Sequence, residues 1–267
     1  MNINLTPELA EICGIHVGDG YLRYGKRNEF DVSGGIEEKD YYDNHVKNLF
    51  KKVFNIEIDC RYFKSRNTYG FVIRDKEIIK FMNSLGFPLG AKSTRIQVPE
   101  VIFNSNDINI ISRFLRGYFD TDGCLHFWKR NKGKYSDFKK NFNYYPLVIV
   151  NTISKKLFQQ VLFLLKKLGF EKVGNYVVKR KKSNEKLEYT IRLYGKNNLI
   201  HFMNQIGFKN PVKLSRFQIW KKLGHCPSRT TFKQRVEILK NPNNISKILG
   251  ARSLTWIEPS PSVKFLN

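Results

Sequence analysis

Ile12-Cys13-Gly14-Ile15-His16-Val17-Gly18-Asp19-Gly20 and Leu115-Arg116-Gly117-Tyr118-Phe119-Asp120-Thr121-Asp122-Gly123 are two versions of one stretch, 103 positions apart. Each is an apolar helical run with a small residue four positions after a glycine, closing on Asp-Gly. Unpaired carbonyls give a helix C-terminus partial negative charge, so a carboxylate there is unfavourable unless a cation arrives. Two helices that both accept this cost point to a cation site. Gly14 and Gly18 share one helix face, as do Gly117 and Thr121, so the helices can pack with their backbones close and bring Asp19 and Asp122 together. Gly20 and Gly123 are expected to act as left-handed caps. Carboxylates and orphan carbonyls make a hard, oxygen-rich pocket that suits Mg²⁺ rather than a soft metal.

The repeat extends beyond these stretches. Residues Ile78 to Gln97 align without gaps on Leu199 to Gln218, with nine identities in twenty positions, among them Lys92 with Lys213, Arg95 with Arg216 and Gln97 with Gln218. A middle helix also repeats, Phe50-Lys51-Lys52-Val53 answering Leu165-Lys166-Lys167-Leu168. A period of about a hundred residues is too long for a solenoid unit and reads as a duplicated subdomain. Each half has the order helix, strands, helix, strands, helix. The expected fold is α+β, two pseudo-symmetric αββαββα subdomains packed through their motif helices. The halves are residues 1–104 and 105–210, followed by a basic, mainly helical extension, 211–267, with no partner in the first half.

The strands alternate apolar and polar residues, the pattern of sheets with one face on helices and one in solvent. The outward faces are expected to carry Arg23, Lys26, Arg61, Arg66, Tyr69, Arg74, Trp128, Arg130, Arg180, Lys182 and Arg192. Lys and Arg number 47 against 23 acids in 267 residues, a formal net charge of +24 spread along the whole chain. Such an imbalance points to a polyanionic partner met by a large folded surface. Cys13, Cys60, Cys124 and Cys226 have neither disulfide nor zinc-ligand spacing and read as reduced thiols. No apolar run is long enough to span a membrane, and the N-terminus has no signal-peptide character, so an intracellular protein without membrane partners is expected. His16 reads as a satisfied core histidine, and Asp120, which has no acidic counterpart in the first motif, as a capping or solvent-facing residue.

The paired motifs resemble those of the LAGLIDADG homing endonucleases, in their two-motif, single-chain form. The resemblance implies that Asp19 and Asp122 are the metal-binding acids, with the main-chain carbonyls of Gly18 and Thr121 as further ligands of two or three Mg²⁺ ions. It implies that Lys92 and Lys213 are pocket lysines that polarise the attacking water or stabilise developing charge. It also implies a saddle of two sheets astride double-stranded DNA, with strands in the major groove and both strands cut across the minor groove. The expectation is a monomeric, intron-encoded endonuclease making a metal-dependent staggered double-strand break in a long recognition site. An RNA-binding maturase of the same fold, acting on its host intron RNA, is the alternative, and a non-cleaving DNA-binding regulator is a third reading.

Overall fold

The structure, a computed structural model, describes residues 4–128, 144–178 and 186–249. Thr6 opens the first helix: its hydroxyl accepts from the Leu9 amide at 3.2 Å, and Pro7 takes the first helical position, where no amide donor is needed. The chain then runs α1 (Pro7–Asp19), β1 (Gly20–Arg23), β2 (Glu29–Gly35), a 3₁₀ turn (Ile36–Glu38), α2 (Lys39–Tyr41), a π-helical turn (Tyr42–Val46), α3 (Lys47–Phe54), β3 (Arg61–Phe63), β4 (Thr68–Ile73) and α4 (Lys76–Ser84). A short α5 (Glu100–Phe103), which the sequence reading did not anticipate, leads into the second half: α6 (Ile108–Thr121), β5 (Cys124–Trp128), β6 (Tyr145–Thr152), α7 (Lys155–Lys167), β7 (Val173–Val178), β8 (Glu188–Tyr194) and α8 (Gly195–Gln205). Helices α9 (Pro211–Leu223), α10 (Phe232–Lys240) and α11 (Ile245–Leu249) follow. Arg130, Arg180 and Lys182, and the chain beyond 249, lie outside the described residues.

Each half contains one antiparallel four-stranded sheet, ordered β1-β2-β4-β3 in the first and β5-β6-β8-β7 in the second, so the expected αββαββα duplication is present. Between the sheets lie α1 and α6. Helix α1 is buried on every side from Leu9 to Val17, the condition of a helix at the centre of a molecule. A Cβ added at Gly14 would stand 2.0 Å from the Phe114 carbonyl oxygen, and one at Gly117 2.2 Å from that of Glu11. Only glycine allows this backbone approach. The seam also buries Glu11, held by His45 Nε2 and Arg113 Nε, each at 2.5 Å.

Two expectations need correction here. Gly20 and Gly123 are not left-handed caps: Gly20 is extended, at φ −85° and ψ 152°, and neither has positive φ. Their glycine character serves space instead. A Cβ at Gly20 would meet the His16 ring at 2.1 Å, and one at Gly123 the Phe119 carbonyl at 2.5 Å. Tyr69 does not face outward. It shares the inner face of β4 with Phe71 and Ile73, is 7% exposed, and its hydroxyl donates to Asp43 at 2.8 Å.

Candidate active site

Each motif helix ends in a carboxylate, and the two carboxylates lie where the halves meet. A Cβ at Gly18 would meet Thr121 Oγ1 at 2.1 Å and the Asp122 carboxyl carbon at 3.2 Å, so Asp122 lies against the end of α1. Asp19 is half-buried beside Glu38 and Asp122 and accepts from the Tyr42 hydroxyl at 2.7 Å. Burial, followed by the charges of Glu38 and Asp122, raises the Asp19 carboxyl to about 7, against the pull of Tyr42 and Lys213. Burial also raises Asp122, opposed by Lys92 and Lys213. Both acids therefore sit where ionisation needs a cation.

Lys92 and Lys213 occupy matching places for a reason the sequence reading missed. Lys92 Nζ donates to the carbonyls of His16, Val17 and Gly18 at 2.5, 2.7 and 2.6 Å. Lys213 Nζ donates to those of Phe119, Asp120 and Thr121 at 3.2, 2.5 and 2.5 Å. An ammonium has three donors, and here all three go to carbonyls of a helix end while its charge offsets the helix dipole. In this geometry neither lysine has a donor left for water, so their immediate task is to hold the motif helices at the acids. Burial lowers Lys92 to about 8, against the attraction of Asp122 and Asp19. The carbonyls of Gly18 and Thr121, expected as metal ligands, each face an ammonium.

A cavity of about 370 Å³ opens beside Asp122 and is lined by Gly18, Lys92, Asp122, Asn151, Thr152 and Leu157 among others. Among the described residues no group of three or more His, Cys, Asp or Glu side chains converges as a metal cage. The donors present, two carboxylates and main-chain oxygens, fit a hard divalent ion that takes its remaining ligands from elsewhere.

Two further residues, Tyr42 and Glu38, carry the site without having stood out in the sequence, and Asp120 has a different place from the one expected. Tyr42 reaches Asp19 from the π turn, and π turns recur at functional sites. Glu38 accepts from the Gly35 amide at 2.9 Å and from Asn210 Nδ2 at 2.7 Å. Asp120 is wholly buried, neither capping its own helix nor facing solvent: its carboxylate accepts from the amides of Lys209 and Asn210 at 3.0 Å each, and burial raises it to about 7. His16 is in the core as expected, packed on Phe30 and Phe87. Neither ring nitrogen has a hydrogen-bond partner, and burial, then Lys92, lowers it well below its usual range.

The outer faces of the two sheets hold most of the remaining candidates. Arg23 is 3.8 Å from Glu29, and Arg66 pairs with Asp31 at 2.7 Å while lying 4.4 Å over the Phe63 ring. Arg61 and Lys26 are exposed, and Lys26, Arg27 and Arg74 line a basic groove of about 520 Å³ at the end of the first sheet. Arg27 was not singled out, although it adjoins Lys26. Trp128 and Arg192 stand together on the second sheet, 6.0 Å apart. No described helix is long and apolar enough to cross a membrane.

Residues 109–207 match the LAGLIDADG-like domain family. Over 212 residues the chain is 28% identical to the replication factor C small subunit of Methanocaldococcus jannaschii, covering 79% of this chain and 10% of that protein. Over 214 residues it is 25% identical to the same organism's glutamine–fructose-6-phosphate aminotransferase, covering 80% of this chain and 17% of that protein. The chain thus spans less than a fifth of the length of these curated relatives. A solved structure from the mesophilic variants of the homing endonuclease I-DmoI is similar at 16% identity and a TM-score of 0.49, over 76% of this chain and 97% of that one. Within the second half, residues 109–207 are thus similar to that family, and the first half repeats the element order of the second around a similar motif.

Proposed function

We propose that the chain is a homing endonuclease, intron-encoded and monomeric, that makes a Mg²⁺-dependent staggered double-strand break in a long DNA recognition site. The observation that carries this reading is the pair of carboxylates, Asp19 and Asp122, at the abutting ends of two glycine-seamed helices, both with raised pKa. Two or three divalent ions held there would polarise the scissile phosphates and the attacking water and offset charge on the leaving 3′ oxygens. Asp19 and Asp122 would hold them. Two carboxylates are too few ligands for a hard ion, so the phosphates of bound DNA would complete the coordination and binding of metal and DNA would be coupled. Lys92 and Lys213 fix the helix ends and keep positive charge beside the site.

The basic sheet faces, with Arg23, Lys26, Arg27, Arg61, Arg66, Arg74, Trp128 and Arg192, would track the duplex as a saddle. The functional division is 1–104, 105–210 and 211–267, the last lending Lys213 to the second half. The two curated relatives support a mobile segment: they are named for unrelated tasks, and each shares with this chain a stretch that is a small part of its length. The protein would act inside the cell or organelle that holds its target.

The test is sequencing of DNA ends after the protein meets a plasmid library of partly random sites, in Mg²⁺ and in EDTA. Metal-dependent ends with a short fixed 3′ stagger, clustered on one long sequence, are expected. Salt-sensitive duplex binding without ends would leave the regulator. Tight binding of the host intron RNA without DNA cutting would favour the maturase.

A further inference from the structure

The outward face of the second sheet differs in chemistry from that of the first. Its register places His126 and Trp128 of β5, Ile149 of β6, Arg192 and Tyr194 of β8, and Tyr176 of β7 on one side. Arg192, on an inner strand, has its guanidinium carbon 4.8 Å from the centre of the Tyr176 ring and 6.0 Å from that of Trp128. The Tyr194 and Tyr176 hydroxyls bond at 2.8 Å, and Trp128 meets Tyr194 edge-on at 6.4 Å. Gly174 makes room for this: a Cβ there would meet the Tyr194 ring at 2.5 Å and the Tyr176 ring at 3.2 Å. Burial, then the nearby charge of Arg216, lowers the His126 pKa. The result is an aromatic platform around one cation, with Trp128 and Tyr176 37% and 43% exposed. On the first sheet, by contrast, Arg66 is engaged by Asp31 and Arg23 lies near Glu29.

On the reading of the sheets as a DNA surface, we propose that Arg192 with Trp128, Tyr176 and Tyr194 is a specificity-determining patch that reads a guanine flanked by thymines in the half-site under the second sheet. A guanidinium held by rings has lost little further freedom when it forms two parallel hydrogen bonds to O6 and N7 of guanine in the major groove. The carbon edges of the exposed rings beside it fit the C5 methyl that distinguishes thymine. The overall charge of +24 brings the polyanion to this face, and the apolar surroundings of Arg192 make its contact discriminating.

The experiment selects bound duplexes from a randomised DNA library in Ca²⁺, with the wild type and with Arg192→Gln and Trp128→Ala, and then replaces thymine by uracil in the recovered site. The expected wild-type consensus contains one guanine, preferred about tenfold or more, with thymine neighbours. Arg192→Gln lowers that preference to under twofold and leaves the other half-site unchanged, which also shows that the variant is folded. Uracil in the second half-site weakens wild-type binding severalfold and has little effect on Trp128→Ala. A consensus that neither variant alters, or binding insensitive to uracil, overturns the patch while leaving the DNA-binding reading intact. Failure to retain any duplex overturns both.

Discussion

The two halves bring a lysine to the same place by different backbones. Lys213 rides on the first turn of α9, which Asn210 starts by accepting from the Val212 amide at 3.1 Å, with Pro211 at the first position. Lys92 lies in an irregular stretch, because the matching positions are Leu89 and Gly90, the latter at φ +74°. Yet each ammonium caps its motif helix with three hydrogen bonds. A second substitution travels with the first. Asp120 and Asn210, which bond to one another's backbone, are Val17 and Leu89 in the first half. The function of the pair, holding a lysine over a helix end, is kept while its means change from polar to apolar. What is duplicated is the electrostatic arrangement at the acids, and the scaffold around it has diverged.

The comparison is most sharply tested at the residues that match. Asp19→Asn and Asp122→Asn should each lower double-strand cleavage by a factor of about a thousand or more and leave duplex affinity within about tenfold, measured by plasmid linearisation and by gel shift. Full cutting by either variant would break the equivalence of the halves. Next come the seam glycines. Gly14→Ala and Gly117→Ala each place a methyl against a backbone carbonyl and should destabilise by about 3 kcal/mol in chemical denaturation. Lys92→Met and Lys213→Met each strand buried carbonyls, at a cost of about 2–3 kcal/mol. Hydrogen exchange should separate them: Lys213→Met frees the start of α9 as well as the end of α6, whereas Lys92→Met leaves every helix but α1 protected.

The smallest expected effect is a difference in pH dependence. Asp120 has a folded-state pKa of about 7, against 3.8 for a free side chain. Below pH 4 both states hold the proton. Between about 4 and 7 the folded protein keeps a proton that the unfolded chain has lost, so stability falls as pH rises through that window and levels off above it. Asp120→Asn should lessen this slope in metal-free thermal unfolding, leaving the part that Asp19, also raised to about 7, contributes. The first half, with Val17 in that place, offers no corresponding variant.

Much of this was legible in the residues. Gly14, Gly18 and Gly117 announced a close helix pair, and the Asp-Gly endings announced the acids, because both follow from spacing along one helix. The order of elements and the presence of one antiparallel sheet in each half followed from the repeat. Several misreadings arose where a residue's partner is distant in sequence. Tyr69 has the polar tip of a surface residue, and its burial depends on Asp43 and Lys39 from another element. Lys92 and Lys213 were recognised by position, but their three-carbonyl grip on helices more than seventy residues away cannot be read locally. Gly20 and Gly123 follow the rule for helix caps, yet the side chain of His16 and the backbone of Phe119 decide their role. Tyr42 depends on a π turn, which has no sequence signal of its own here.

The central claim is that Asp19 and Asp122, one from each half, form a shared divalent-ion site that DNA completes. Electron paramagnetic resonance of Mn²⁺ bound to the protein with its selected duplex tests it directly, in the wild type, Asp19→Asn and Asp122→Asn. The account predicts weak Mn²⁺ binding without DNA, two or three ions with it, and fewer bound ions in either single variant. The same number of ions in the wild type and both variants, or tight binding without DNA, would contradict it.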